Sequence, residues 1–365
     1  FTNGAVSPAA NAGVLVGNSV IAANPFYYGV PSMTFSGLTG LNEAIPSDAI
    51  NQTISFSGSV GYSHKKHNMR FGVDVRRVHA DSIGGTNVVG GFTFTGYATK
   101  DPSVGAGANG GNGFADFLLG LPQQATVQAG LAKTYLRGNV FDWYAQDDWR
   151  ALSNLTLNFG LRYEYFSPYV EKYNRLVNLD HNADFTQVAA VLPGGTGTFG
   201  GAFPRSLVNP DRTMYSPRLA FAYRPKGKMF KETVIRGGYG INYNTGQYAF
   251  AKQLAFQPPF AVTQTNIVGQ QGCGTLALAN AFNCSTAAVQ NNFSVNRDYR
   301  LGHVQVWNVD IQRTLGMGIV ANVGYNGAKG GALDMVRAPN RTAGGVLNPS
   351  AQAFNYEDSL GYARF

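Results

Sequence analysis

Between Asn154 and Phe166 the chain reads NLTLNFGLRYEYF, and its apolar residues take every second place: Leu155, Leu157, Phe159, Leu161, Tyr163 and Tyr165. Thr156, Asn158, Gly160, Arg162 and Glu164 fill the places between. A period of two sends successive side chains to opposite sides of a sheet, so this stretch predicts a β-strand with one apolar and one polar face. The same rhythm returns in paired runs joined by short polar turns. Ile54, Phe56, Val60 and Tyr62 alternate with small residues before SHKKHN. Met69, Phe71, Val73 and Val75 then come back, with Arg70, Asp74 and Arg76 between them. YLRGNVFDWYAQDDWR, in which Phe141, Trp143 and Ala145 alternate with Asp142, Tyr144 and Gln146, turns at ALSN into the first run. SPRLAFAYRP meets TVIRGGYGINYN across KGKMFK, and HVQVWNVDIQRT meets IVANVGYNG across LGMG. Turns this short predict antiparallel hairpins. Two weaker strand signals, YYGVPSMTF and GGFTFTGYAT, bring the expected number from about eight to ten.

The connections between hairpins are of another kind. Residues 79–133, 167–215 and 244–303 are long and rich in Gly, Asn, Pro and Ala. Structureless connections of that length are rare inside compact soluble domains. Short turns at one end and long loops at the other are the asymmetry of outer-membrane barrels, whose long loops face outside. Strand length agrees. Leu155 to Tyr165 extends about 36 Å, and a tilt near 45° reduces that to about 25 Å, the height of a barrel's lipid-facing band. Trp149 stands near the short turn and Tyr163, Tyr165 and Phe166 at the far end. Tyr and Trp favour a membrane interface because an apolar body carries a polar tip. The expected fold is therefore an all-β, antiparallel transmembrane β-barrel with short periplasmic turns and long extracellular loops. The apolar face would meet lipid, and Asn158, Arg162 and Glu164 would face a wet lumen. A soluble β-sandwich or propeller fits less well, since its strands have a modal length of about 5–6 residues.

Composition narrows the partners. Charged residues make up 13% of the 365-residue chain, half of the usual ~25%. Mean hydropathy is −0.12. No apolar run reaches the ~18 residues that a spanning helix needs. The net charge of +8 is scattered, with no basic helix and no zinc-finger or RNA-binding signature, so a solvated surface is expected and nucleic acid is not.

Motifs that carry chemistry are few. GAGANG (Gly105 to Gly110) has the G-x-G-x-x-G spacing, but in the low-complexity GAGANGGNG it predicts a loop, because the dinucleotide fingerprint needs a strand before it and a helix after it. His64 and His67 have a crude metal spacing, yet Lys65 and Lys66 between them would repel a cation. Neither H-E-x-x-H, G-x-S-x-G, a P-loop nor C-x-x-C occurs. Asp142, Asp147, Asp148 and Glu164 flank one turn, where they suit lumen and periplasmic-rim charges better than an acid–base pair. Neither an enzyme nor a cofactor is expected. Cys273 and Cys284, in GCGTLALANAFNCS, predict a disulfide pinning an external loop, with free thiols as the alternative. Closing so short a loop contributes on the order of 2–3 kcal/mol to local order. The short apolar run FADFLLGL (Phe114 to Leu121) predicts a helical turn in the barrel mouth or loop layer.

Five blocks together resemble TonB-dependent transporters of the Oar-like group: GNGFADFLLGLPQQATVQ, YAQDDWRALSNLTLNFGLRYEYFSP, SPRLAFAYRP, VIRGGYGINYN and WNVDIQRTLGMGIVANVGYNGAKG. The resemblance spans roughly residues 50–365. It implies a barrel of about 22 strands, preceded by a carboxypeptidase-regulatory-like domain and a plug. Such a barrel stands in the outer membrane of a Gram-negative bacterium, among its lipid and lipopolysaccharide. It imports a large scarce extracellular solute (siderophore, oligosaccharide or peptide) with energy relayed by the TonB complex through the plug. Here neither plug nor TonB box is visible, and FTNGAVSPAA lacks the form of a signal peptide. YEDSLGYARF ends on Phe365, but Ser359, Gly361 and Ala363 on the same face are not hydrophobic. Residues 1–365 are thus expected to be a middle-to-late piece of one barrel domain. A structural or adhesive barrel that transports nothing is the second reading, and a soluble carbohydrate-binding β-protein the third. Tyr169, Tyr173, Arg175 and Tyr248 are loop residues of the kind that stack on or hydrogen-bond a solute, although the sequence singles out no substrate site.

Overall fold

The computed structural model describes residues 29–42, 47–83, 89–103, 110–130, 133–230, 232–244, 246–270, 273–282, 291–341, 345–346 and 353–364. Nine long strands form its main sheet: β1 (Asp48–His64), β2 (His67–Ile83), β3 (Lys133–Leu152), β4 (Leu155–Phe166), β5 (Tyr215–Tyr223), β6 (Thr233–Tyr243), β7 (His303–Gly316), β8 (Ile319–Arg337) and β9 (Asn355–Arg364). Each pairs antiparallel with its neighbour in the chain, so the sheet is an uninterrupted meander. A short strand, Phe293–Val295, adds to β9 in parallel. Among the described residues the sheet does not close: β1 is one edge and Phe293–Val295 the other. An open antiparallel meander of this length and topology fits the wall of a barrel.

The four expected hairpins are all present, as β1–β2, β3–β4, β5–β6 and β7–β8. Two residues join β1 to β2, and Lys65 there has φ 52°; Met317 and Gly318 join β7 to β8 with φ of 50° and 79°. Left-handed backbone at such positions matches the twist of the flanking strands. Register then sorts side chains into rows. Val60, Phe71, Ala145, Leu161 and Pro217 stand in one row; Phe56, Val75, Phe141 and Tyr165 stand in another two steps along. In the row between them Trp143 and Tyr163 lie ring beside ring, 6.1 Å between centroids.

 Phe141 and Tyr165 pair in the same way, at 6.1 Å between ring centroids. The alternate rows are polar: Asp74, Asp142 and Glu164 in one, Asn68, Asp148 and Asn158 in another. On β7 the polar face is broken by Val304 and Val306, and it resumes at Asn308 and Asp310.

Close approach requires glycine at Gly237 and Gly327, among other positions. A Cβ on Gly237 would lie 2.5 Å from the Phe221 ring, and one on Gly327 would lie 2.4 Å from the Trp307 indole. Each large ring lies flat across the neighbouring strand, over a residue with no side chain to obstruct it.

The structure departs from the sequence expectation in three places. YYGVPSMTF and GGFTFTGYAT do not supply barrel strands; Tyr27 and Tyr28 lie outside the described residues. Ser32–Phe35 and Gly91–Phe94 pair in parallel within a separate five-stranded sheet, with Leu38–Leu41, Gln124–Gly130 and Ala261–Ile267. That sheet has its own core of Phe35, Phe92, Phe94, Val127 and Phe282. The reason is length: four-residue apolar runs are too short to cross a bilayer but sufficient to cover a small core. The additional barrel strand is instead β9, which pairs with β8.

The long connections are also folded. FADFLLGL begins a helix, Gly113–Leu118, whose Asn112 cap accepts from the Phe114 and Ala115 N–H groups. Phe117 of this helix packs on the small sheet's core, which places the run in the loop layer. Segments 167–215 and 244–303 meet over a second core, where Leu176, Leu207, Met214, Leu254, Tyr299 and Leu301 are buried with Leu136, Val140 and Phe166 of the main sheet. Buried polar side chains join these segments. Asn178 accepts from the Val295 N–H (2.9 Å) and donates to the Val295 carbonyl (2.9 Å). Gln257 accepts from the Phe293 N–H and donates to the carbonyls of Phe293 and Val177. Hydrogen bonds of this kind allow irregular backbone to be buried.

Candidate functional site

Among the described residues, the polar face of β2–β5 gathers the densest set of paired charges. Asp142 is 5% exposed and lies between two arginines: Arg76 reaches its Oδ2 at 2.6 Å and Arg162 at 2.8 Å. Arg76 also pairs with Asp74 (2.6 Å) and Arg162 with Glu164 (3.0 Å). The Ser216 hydroxyl donates to Glu164 at 3.1 Å. Strand alternation puts all these groups on one face, and antiparallel register brings Asp74, Asp142 and Glu164 side by side. Three adjacent carboxylates would repel one another without the two guanidinium groups between them. Closer to the short turns, Gln146, Asp148, Asn158, Arg218, Asn242 and Asn308 line a hollow of 510 Å³. A second hollow of 270 Å³ lies against Arg70, Tyr144, Arg162 and Ser216. This wall offers fixed charge and many hydrogen-bonding groups to water or to a polar solute.

The four carboxylates that the sequence placed around one turn are thus divided. Asp142, Asp148 and Glu164 share the polar face, where Asn158 donates to Asp148. Asp147 is on the apolar side near the short turn, 2.6 Å from His67 Nδ1. His67 also stacks on Trp149 (5.4 Å), while His64 stacks on Tyr62 (6.1 Å). Their three-residue spacing therefore leads to two different sets of contacts.

Among the loop residues, Tyr173 is 56% exposed and its ring meets Tyr135 edge-on at 5.5 Å. Arg175 lies 4.9 Å from the Tyr173 ring centroid and bonds the buried Glu171 carboxylate at 2.6 Å. Burial pushes the Glu171 carboxyl up, but Arg175 and the backbone N–H groups of Arg175 and Tyr173 outweigh it and hold it below the usual range. Tyr169 lies partly buried against Gly138, which raises its phenol. Tyr248 is corrected outright: it is 3% exposed, packed against Phe250 and Tyr299, and unavailable to a solute. Its ring falls in the core because segment 244–303 folds back on segment 167–215. Cys273 is buried, and its expected partner Cys284 lies outside the described residues. GAGANG lies outside them too, except for Gly110.

Sequence reasoning missed the arginine-bracketed row around Asp142. Its signal was present as charges of one parity, Asp74 and Arg76 on one strand and Arg162 and Glu164 on another. Only the register shows that they meet.

The outer membrane beta barrel domain family matches residues 2–362. The chain belongs to that family. This barrel domain is accordingly a protein of the outer membrane. No curated protein matches the sequence. The outer membrane transporter YddB from Escherichia coli is similar over 90% of this chain and 32% of its own, at 11% identity and a TM-score of 0.46. The siderophore receptor PirA from Acinetobacter baumannii is similar over 90% of this chain and 35% of its own, at 11% identity and a TM-score of 0.41. The copper transporter OprC covers 87% of this chain with 34% of its own, at 10% identity and a TM-score of 0.41. The chain spans about a third of the length of these structures.

Proposed function

We propose that this barrel domain forms part of the wall and outer loops of a transporter that takes up a large, scarce, polar solute: a siderophore, an oligosaccharide or a peptide. The apolar rows face lipid, the polar rows face the lumen, the short turns are periplasmic and the folded loops extracellular. The observation that carries the reading is the ion-paired wall around Asp142 beneath an ordered loop layer. Charged side chains are stable at membrane depth where they line a wet interior, and loops with their own core can present a fixed surface to a solute. Energy would come from the TonB complex acting through a plug, as the resemblance of the sequence blocks implies. Residues 1–365 would all belong to the one barrel domain, and Cys273 and Cys284 would form a disulfide in the loop layer. No group in the site calls for catalysis.

The test uses the full-length parent protein in living cells, with ferric siderophores, oligosaccharides and peptides offered as labelled solutes. Uptake of one class that stops when the energising complex is deleted, while surface binding persists, is the expected result. Binding with no energised uptake of any class would favour a structural or adhesive barrel.

A further inference from the structure

We propose that the polar face of β2–β7 holds a binding trough for an amphipathic anion, a solute with a carboxylate or phosphate at one end and an apolar body behind it. The inference rests on the proposed lumenal wall and deepens it by naming a solute class. Register lays the trough out as one row across six strands: Arg70, Gln146, Gly160, Arg218, Gly240 and Val306. Neighbouring strands stand about 4.8 Å apart, so the row is about 24 Å long. Gly160 and Gly240 carry no side chain, and the floor sinks at both. A Cβ on Gly160 would meet those of Arg218 and Gln146 at 3.7 Å, an ordinary contact, so the depression there is room rather than a packed seam. The two hollows on this wall are continuous, since Gln146, Gly160 and Arg218 line both.

The two ends of the trough differ in chemistry. Arg70, Arg162 and Arg218 line the smaller hollow, and no carboxylate is among its lining residues. Asp142 and Glu164 engage Arg162, but among the described residues no ion pair holds Arg70 or Arg218. Both are exposed, and Arg218 donates to the Asn242 amide oxygen at 3.1 Å. Guanidinium groups with no carboxylate opposite them suit an anion, which they bind through paired, charge-assisted N–H groups. Asp148 is the one carboxylate lining the larger hollow; it stands one row nearer the short turns, where Asn158 donates to it. At the far end the side chains are apolar or absent. Val304 and Val306 are exposed, with Gly240, Ala328 and Gly330 beside them in register. A neutral sugar would leave the guanidinium groups unanswered at one end and find few partners for its hydroxyls at the other. An apolar body on Val306 with its charge at Arg218 meets both demands, across two strands or about 10 Å.

The experiment titrates the full-length parent protein in lipid nanodiscs, against empty nanodiscs, with phenylhexanoate, phenylhexyl phosphate, the neutral phenylhexanamide and acetate. At least one of the two amphipathic anions is expected to bind about tenfold or more tighter than the amide or acetate, and the tighter of the two identifies the preferred anionic group. Arg70→Gln with Arg218→Gln should remove that advantage. Lys226→Gln with Lys228→Gln, an equal charge change at a short turn, should keep it. Gly160→Leu alters no charge but fills the floor, and it should weaken the anions by a similar factor. Val306→Asn should weaken phenylhexanoate severalfold and leave acetate unchanged. Equal binding of the amide, or unchanged anion affinity in the arginine and Gly160 variants, would overturn the proposal. Labelling of Arg218→Cys by a water-soluble maleimide separates the trough from the wall beneath it. Labelling without anion preference defeats the trough alone, whereas no labelling defeats the lumenal assignment. Anion binding in nanodiscs without energised uptake in cells defeats the transport reading and leaves the trough standing.

Discussion

The wall and the loop layer are built from the same chain on opposite terms. In the wall, Phe56, Val73, Phe141, Leu219 and Tyr325 stand exposed, and backbone pairing with neighbouring strands holds the sheet. In the loop layer Leu176, Leu207, Met214 and Leu254 are wholly buried, and polar side chains replace the missing ladders. The wall needs an apolar solvent for one face, because exposed apolar rows in water lose the burial that stabilises a fold. The loop layer packs over a core that it shares with Leu136, Val140 and Phe166 at the end of the wall, and it should retain its structure in water. Stability in one molecule is thus set by two different solvents.

The largest expected effect tests the loop layer. Asn178→Leu removes the groups that pair with both the N–H and the carbonyl of Val295, leaving buried polar atoms without partners. The cost is on the order of 3–5 kcal/mol of loop-layer stability. Hydrogen exchange should rise across 167–215 and 293–301 while heat-modifiable mobility of the barrel stays normal; loss of both together would mean that the two regions are one cooperative unit.

Next comes the wall. Leu161 occupies the middle apolar row, and Leu161→Arg should cost roughly 2–4 kcal/mol in a bilayer. Asn158→Arg, on the polar face, should be mild. Equal tolerance in a denaturant titration in lipid would dismiss the facing assignment.

Asp142→Asn keeps the side chain's shape but removes the charge shared by Arg76 and Arg162. A loss of about 1–3 kcal/mol is expected, read as a lower midpoint of unfolding. Asp147→Asn, beside His67 at the short-turn end, should change less because that pair is more exposed.

A further expected effect is one of pH. Burial and the neighbouring Asp334 carboxyl push the Glu357 carboxyl, in the extension of β9 beyond the aromatic rows, up to about 7 from 4.5. A raised folded-state value favours the protonated folded form. The stability it supplies is full below about 4.5 and declines as pH rises to about 7. Glu357→Gln should flatten that slope in protease-resistance measurements from pH 4.5 to 7, and an unaltered slope would assign it to another group.

Much of the wall was legible because one apolar face imposes a period of two on every long strand. β9 escaped because parity was read from Phe365, which selects Ser359, Gly361 and Ala363. The exposed apolar side chains are Leu360 and Tyr362, on the other parity. The loop layer was not legible as a folded unit. Its composition is that of a loop, and the residues that order it are isolated polar ones such as Asn178, Gln257 and Asp116. Asp116 accepts from the N–H groups of Gly96, Ala98 and Thr99, and no local pattern announces contacts so distant in sequence. At the Asp142 row, the residue types were visible but their register was not.

The rings laid over Gly237 and Gly327 carry a consequence for inheritance. Phe221 and Gly237 sit on neighbouring strands directly across from each other, as do Trp307 and Gly327. A methyl group at either glycine would displace the ring, whereas a smaller residue in place of the ring would make room for that methyl. Each pair is therefore expected to mutate as a couple, with the glycine constrained only while its partner stays large. Two positions on different strands behave as a single character.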